Sequence, residues 1–268
     1  MNLRATFDTD APVVGMVHLP PLPGAPRFDG DRSAIGERIQ ADASALEAGG
    51  VDGIVVENFG DAPFYPQDVP KHVVADMAVY GRELVESASV PVGVNVLRND
   101  AVAALSVAAA TGADFVRVNV HTGATVTDQG LLQGNAHETM RLRDRLDADV
   151  AVLADVGVKH AAPLAERPLR EEVGDAVERG LADGIVVSGA GTGDPTDRSV
   201  LEEAREAIES VAPDTPLFVG SGVTRETVAE TLTVADGVIV GTDLKTDGRT
   251  TNPVDEERVR AVVEAARE

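Results

Sequence analysis

The sequence predicts a single (β/α)8 barrel, and three observations carry that expectation. Short β-branched runs alternate with longer helical stretches eight times, with no break in composition along the chain. Four of the runs repeat one phrase: a small residue or valine, Asp, usually Gly, then branched aliphatics, then a residue able to do chemistry. The phrase occupies residues 51–57, 113–119, 182–188 and 235–241 and ends on Glu57, Asn119, Ser188 and Gly241. Third, 268 residues suit a fold that commonly takes about 250. A doubly wound open sheet is the alternative; the count of eight and the absence of an early Gly-x-Gly-x-x-Gly turn speak against it. One domain is expected over 1–268, with a core at about 11–267.

The elements follow in order. The first strand, 13–18, is a continuous apolar run ending on His18, the pattern of a strand covered on both faces. A loop stiffened by Pro20, Pro21, Pro23 and Pro26 leads to a helix at 31–48, which Gly49 and Gly50 terminate. The second strand, 53–57, closes on Glu57-Asn58 and precedes a helix at 70–87. The third, 91–96, carries Asn95 near its end; its helix, 99–111, stops at Gly112. The fourth strand, 115–121, alternates valines with Arg117, Asn119 and His121, and a helix follows at 135–147. The fifth, 149–155, ends on Asp155, with Lys159-His160 just beyond and a helix at 168–180. The sixth, 184–188, ends on Ser188 and opens a glycine-rich polar loop containing Thr192; its helix is 198–210. After the seventh strand, 216–220, Thr224 supplies a capping hydroxyl for a helix at 224–232. The eighth strand, 237–241, leads to a last helix at 253–267, with Asn252 as cap, Pro253 in the first turn and Asp255-Glu256 complementing the dipole.

The loops after strands one, two, four and six are long (19–30, 58–69, 122–134 and 189–197). All lie on the strand-to-helix side, where barrel enzymes build their sites.

Charge excludes several partners. Asp and Glu number 45 against 23 Lys and Arg, a formal net charge of -22, and Lys71, Lys159 and Lys245 are the only lysines. Such a surface repels phosphate backbones and anionic membranes, which argues against nucleic acid. Dispersed acid with scarce lysine fits a halophilic protein working in molar salt, where the Debye length is about 3 Å. With no cysteine there is neither a disulfide nor a thiolate metal site. No apolar stretch reaches the ~18 residues of a membrane span, and the N-terminus lacks the apolar run of a signal peptide, so a cytoplasmic protein is expected.

Three groups of residues could carry chemistry. On the fourth strand, period two puts Arg117, Asn119 and His121 on one face and the valines on the other. Valines suit the helix side, so the polar three should line the interior and its mouth. A buried arginine needs an anionic partner, and Glu57 and Asp155 are at hand. A satisfied internal salt bridge and a catalytic role for Arg117 are both open; for His121, nearest the strand end, a functional role is favoured. The second group would hold a phosphate: Gly220, Ser221 and Gly222 after strand seven, Gly241 and Thr242 after strand eight, with Lys245 as countercharge. The third is spread over the other strand ends: His18, Glu57, Asn58, Asn95, Asp155, Lys159, Ser188 and Thr192. His, Glu and Asp converging at one mouth could work as acid and base. The residues call for no cofactor, although the same groups could hold a divalent metal; no close helical ligand pair such as His-x-x-x-His is present. Lys159 suits an electrostatic role better than a Schiff base, and His72 and His137 read as solvated helix residues.

Together these stretches resemble the BtpA/SgcQ family. The likeness runs from about residue 13 to 259. It is carried by Gly15-Met16-Val17-His18-Leu19-Pro20-Pro21-Leu22-Pro23-Gly24-Ala25-Pro26, Glu57-Asn58-Phe59-Gly60-Asp61-Ala62-Pro63-Phe64 and Phe115-Val116-Arg117-Val118-Asn119-Val120. Further stretches are Ala154-Asp155-Val156-Gly157-Val158-Lys159-His160, Gly220-Ser221-Gly222-Val223, Gly241-Thr242-Asp243-Leu244-Lys245 and Asn252-Pro253-Val254-Asp255. The resemblance implies a barrel akin to phosphate-binding barrels, without a settled reaction. The family takes its name from photosystem I biogenesis in cyanobacteria, and other members resemble sugar-metabolism operon proteins.

The expectation is an enzyme acting on a small phosphorylated sugar or a nucleoside-derived ribosyl compound. Glu57 or Asp155 would serve as base, His121 or His18 as acid, and Arg117 and Lys159 would stabilise charge developing on oxygen. Isomerisation, aldol-type cleavage and ribosyl transfer all fit. A non-catalytic assembly or regulatory protein is the alternative, and a homo-oligomer is the base-rate expectation.

Overall fold

The computed structural model describes residues 1–157, 162–164, 167–189 and 197–268. In chain order the strands are β1 (Val13–His18), β2 (Gly53–Glu57), β3 (Val92–Asn95), β4 (Phe115–Val118), β5 (Ala124–Thr127) and β6 (Gly130–Gln133). They continue as β7 (Ala151–Val156), β8 (Ala162–Pro163), β9 (Gly184–Val187), β10 (Leu217–Gly220) and β11 (Gly237–Val240). Eight of them close a parallel barrel in the order β1-β11-β10-β9-β7-β4-β3-β2. The chain is therefore a (β/α)8 barrel, with β5, β6 and β8 forming a small antiparallel sheet beside it.

The outer helices are α2 (Arg32–Gly49), α3 (Lys71–Ser87), α4 (Ala101–Thr111), α5 (Ala136–Arg145), α6 (Leu169–Gly174), α7 (Arg198–Val211), α8 (Val228–Thr231) and α9 (Glu256–Ala266). A short α1 (Leu3–Phe7) precedes them and was not expected from the sequence. None is long and apolar enough to cross a membrane among the described residues.

The repeated phrase has a structural meaning at each of its positions. Each of its four aspartates stands just before a barrel strand and ties that strand to its predecessor. Asp52, Asp114, Asp183 and Asp236 accept the N–H of Val13, Val92, Val152 and Leu217 on one carboxylate oxygen, at 2.7 to 2.9 Å. Their own backbone N–H groups donate to the carbonyls of the same four residues, each at 2.8 Å. One residue thus satisfies both backbone groups of a strand at the barrel's N-terminal rim, where they would otherwise lack ladder partners. The glycine next in the phrase faces inward: a Cβ on Gly53 would lie 2.8 Å from Phe7, and one on Gly237 would lie 2.6 Å from Phe218.

The aliphatics then split by parity. Val14, Met16, Val55, Phe115, Leu153, Val186, Phe218 and Ile239 pack inside the barrel, while Val13, Ile54, Val56, Val116, Val118, Ile185 and Val187 pack outward under the helices. Phe7 of α1 plugs the N-terminal end, edge-on to Phe115 at 5.7 Å and Phe218 at 6.3 Å. The lower interior is thus filled with apolar side chains, three of them phenylalanines.

Three local expectations shift. β4 ends at Val118, not at 121. Asn99 explains why: its side chain accepts from Val120 N–H at 2.8 Å and donates to the Val120 carbonyl at 2.9 Å, capturing both groups the sheet would have used. The last helix begins at Glu256 with Asp255 as its cap, since the Asp255 carboxylate accepts from the Glu257 and Arg258 N–H groups; Asn252 instead donates to the Thr246 carbonyl. The segment 224–232 holds only the one-turn α8.

Candidate active site

At the C-terminal end of the strands lies a cavity of about 220 Å³. Ten of the residues expected at the site line it: His18, Glu57, Arg117, Asn119, Asp155, Ser188, Ser221, Gly222, Gly241 and Thr242. The convergence follows from register. His18 pairs with Glu57 and Glu57 with Asn95 across β1, β2 and β3, so these strands finish level. Inward parity then delivers Arg117 and Asp155 from β4 and β7 one layer above Phe115 and Leu153.

Arg117 is held on three sides. Its Nε and Nη2 donate to Asp155 Oδ1 and Oδ2 at 2.9 and 2.8 Å, and Nη2 also donates to Ser188 Oγ at 3.0 Å. Gly220 leaves the guanidinium its space, because a Cβ there would come within 3.1 Å of Nη2. Gly220 therefore supports the site from behind and does not line it.

Facing this pair are His18 and Glu57, with Nε2 and Oε1 3.9 Å apart and both side chains buried. Burial raises the Glu57 carboxyl above its usual range, opposed by the positive charges of Arg117 and Arg98 and reinforced by Asp155. Burial also pushes His18 well below its ordinary value, and the charges of Lys245, Arg117 and Arg38 push the same way. His18 is thus neutral at physiological pH. Its Nδ1 is buried with no hydrogen-bond partner among the described residues, and its ring rests edge-on against Phe59 at 5.1 Å.

Opposite, Ser221 (φ 86°) and Gly222 (φ 73°) turn the chain sharply after β10, and Gly241-Thr242 leave β11 at the same level. Gly241 also passes close to the imidazole, since a Cβ there would lie 3.0 Å from His18 Cε1. Thr242 shares a hydroxyl contact with Thr250 at 2.8 Å.

Besides Gly220, the structure places four further expected residues away from the cavity wall. His121 is buried beside the Gly180 backbone, beyond the C-terminal end of α6, where Nε2 donates to the Gly180 carbonyl at 2.8 Å. Because the strand stops at Val118, the parity that should have carried His121 inward no longer applies. Asn58 is consumed by structure: its Oδ1 accepts from Leu97 N–H at 2.7 Å and its Nδ2 donates to Asp61 at 3.1 Å. Asn95 is fully buried beneath the cavity and reaches it only through Asn119, at 3.4 Å. Lys245 is no exposed countercharge. It is wholly buried, with Nζ donating to the Met16 carbonyl at 2.8 Å and lying 3.6 Å from Asp42, and desolvation lowers it to about 8. Lys159 and Thr192 lie outside the described residues. His72 and His137 are exposed, as expected.

No cluster of three or more His, Asp and Glu suited to a metal occurs among the described residues. Sequence reasoning missed Arg98, which lines the cavity just beyond β3. The signal was available: Arg98 follows the end of a barrel strand, as Asn58 and Ser221 do. Starting a helix at residue 99 left no loop in which to look for it.

Comparison with known proteins supports the fold and places the chain in a family. The chain is 50% identical over 268 residues to the photosystem I biogenesis protein BtpA of Synechocystis, covering all of this chain and 92% of that one. Among solved structures it is similar to tryptophan synthase of Mycobacterium tuberculosis (TM-score 0.66, 18% identity, 100% and 98% of the two chains). It is also similar to N-(5'-phosphoribosyl)anthranilate isomerase of Pyrococcus furiosus (TM-score 0.56, 15% identity, 96% and 98%). At those identities the structures speak for the barrel alone. The sequence profile of the BtpA family matches residues 9–268, and the chain belongs to that family.

Proposed function

We propose that the chain is an enzyme that moves a proton on a small phosphorylated sugar or ribosyl compound, with Glu57 and His18 as the working acid/base pair. The observation that carries this reading is their juxtaposition: a carboxyl raised by burial stands 3.9 Å from an imidazole kept neutral, both on the wall of one cavity. A carboxyl shifted towards its protonated form beside a neutral imidazole can exchange a proton with a bound molecule, which simple ligand holding does not require. Arg117, fixed by Asp155, supplies positive charge for an oxyanion without needing to reorganise. Asp155 is a positioning carboxylate in this scheme, because both of its oxygens already accept from Arg117. The Ser221-Gly222 and Gly241-Thr242 turns would take the phosphate through backbone N–H groups and hydroxyls. The solved barrels of similar shape include one named for a phosphoribosyl substrate, which supports this class. Isomerisation, aldol-type cleavage and ribosyl transfer share these requirements.

The test is a thermal-shift panel of sugar phosphates against the free sugars in molar KCl, the medium that a net charge of -22 calls for. Turnover of stabilising compounds is then followed by NMR. Phosphorylated compounds alone should stabilise the protein, and Glu57→Gln should abolish turnover by at least a hundredfold with the fold intact. Indifference to the whole panel, or full turnover by Glu57→Gln, overturns the reading. A second reading, favoured by the 50% identity to a protein named for photosystem I biogenesis, is a barrel that binds such a ligand without turning it over. Stabilisation with no chemical change in any compound would select it.

A further inference from the structure

Arg98 is the one cation of the cavity that its protein surroundings leave unsatisfied among the described residues. The two arginines on the cavity wall are in opposite situations. Arg117 spends its Nε and Nη2 donors on Asp155 and Ser188. Arg98 is only partly exposed, its Nε is buried without a hydrogen-bond partner, and its guanidinium forms no ion pair within 4 Å among the described residues. Glu57 feels its charge without contacting it. The backbone there is anchored, since Arg98 N–H donates to the Tyr65 carbonyl at 2.9 Å. A buried N–H donor left empty is costly, and an anion seated on the Arg98 fork would satisfy Nε together with the outer nitrogens.

Topology fixes where that anion would lie. In the closed order β1-β11-β10-β9-β7-β4-β3-β2, the strand before Arg98 (β3) and the strand before Ser221-Gly222 (β10) are four places apart in either direction. They are the two poles of the mouth. His18 and Glu57 occupy one arc between the poles, on β1 and β2. Arg117, Asp155 and Ser188 occupy the other, on or just after β4, β7 and β9. A molecule spanning the poles would pass directly between the acid/base pair and the fixed guanidinium.

We infer that the substrate carries an anionic group at each end, one held by the Ser221-Gly222 turn and the other by Arg98. The class is a sugar bisphosphate or a phosphorylated sugar acid, with the reacting carbons between. The inference rests on the phosphosugar reading above and narrows it.

Titration calorimetry in molar KCl tests this with three probes: fructose 6-phosphate, fructose 1,6-bisphosphate and 6-phosphogluconate. The wild-type protein should bind one or both double anions at least tenfold more tightly than fructose 6-phosphate. The bisphosphate and carboxylate arms tell which second anion is preferred. Arg98→Gln should bring that ratio to about one, and Arg98→Lys, which keeps the charge but loses the fork, should retain part of it. Both variants are checked by circular dichroism, so that a misfolded Arg98→Gln leaves Arg98→Lys to decide. If the wild-type protein binds all three probes equally, or Arg98→Gln keeps the full ratio, the inference falls while the phosphosugar reading stands. If it binds none of the three, the phosphosugar reading itself falls and takes the inference with it.

Discussion

Arg117 and Asp155 meet across adjacent barrel strands as a two-pronged pair, with Nε to Oδ1 at 2.9 Å and Nη2 to Oδ2 at 2.8 Å, and both side chains are largely out of solvent. Burial works against the guanidinium charge, but Asp155 and then Glu57 more than restore it, so Arg117 is held above its ordinary value. Such a pair is costly to break on one side only. Asp155→Asn should therefore lower unfolding free energy by about 3 kcal/mol in urea titrations. The double variant Arg117→Met with Asp155→Leu should lose less than Asp155→Asn alone, because it strands no charge. Equal midpoints for wild type and Asp155→Asn would show that the pair holds the site's geometry without holding the fold.

His18 and Glu57 predict opposite pH slopes. His18 is depressed in the folded state, chiefly by burial, so between its folded value and 6.5 the unfolded chain binds the extra proton. Its contribution is complete above about pH 6.5 and is lost as pH falls below that. Glu57 is raised, chiefly by burial, so above 4.5 the folded state holds the extra proton. Its contribution is complete below about pH 4.5 and is lost as pH rises through the folded value. Each group gives a slope of at most about 1.4 kcal/mol per pH unit. Urea unfolding from pH 4 to 8 should show His18→Asn removing the acid-side loss and Glu57→Gln removing the opposing slope. Parallel profiles in wild type and both variants would mean that neither group is desolvated as described.

The barrel was legible because its rim is written four times. Asp52, Asp114, Asp183 and Asp236 each repeat one backbone contact, and a contact that recurs at fixed spacing leaves a periodic trace in sequence. The inward layer was legible for a related reason: strand parity alone carries Glu57, Arg117 and Asp155 to the mouth. What could not be read depends on where parity ends. Asn99 strips Val120 of its sheet partners from 21 residues away, and nothing local to β4 announces that. Lys245 misled in the same manner. Its burial is set by Asp42 on α2 and the Met16 carbonyl on β1, both more than 200 residues distant in sequence. The antiparallel sheet of β5, β6 and β8 lay inside what read as one long loop and a segment before a helix.

His121 supplies the sharpest contrast with the cavity residues, because it shares their strand in sequence and not in space. Its imidazole is buried beside Thr122 and Gly180, with Nε2 donating to the Gly180 carbonyl, and Gly180 is kept small by that approach: a Cβ there would lie 2.9 Å from the ring. Removing the ring leaves a void and an unpaired carbonyl together. His121→Ala should lower stability by about 1–3 kcal/mol in urea unfolding. It should leave the binding constant of a stabilising sugar phosphate within threefold of wild type by calorimetry, whereas His18→Asn, on the cavity wall, should shift it. A His121→Ala protein that is folded yet binds more than threefold more weakly would place His121 back in the functional machinery and count against the site drawn here.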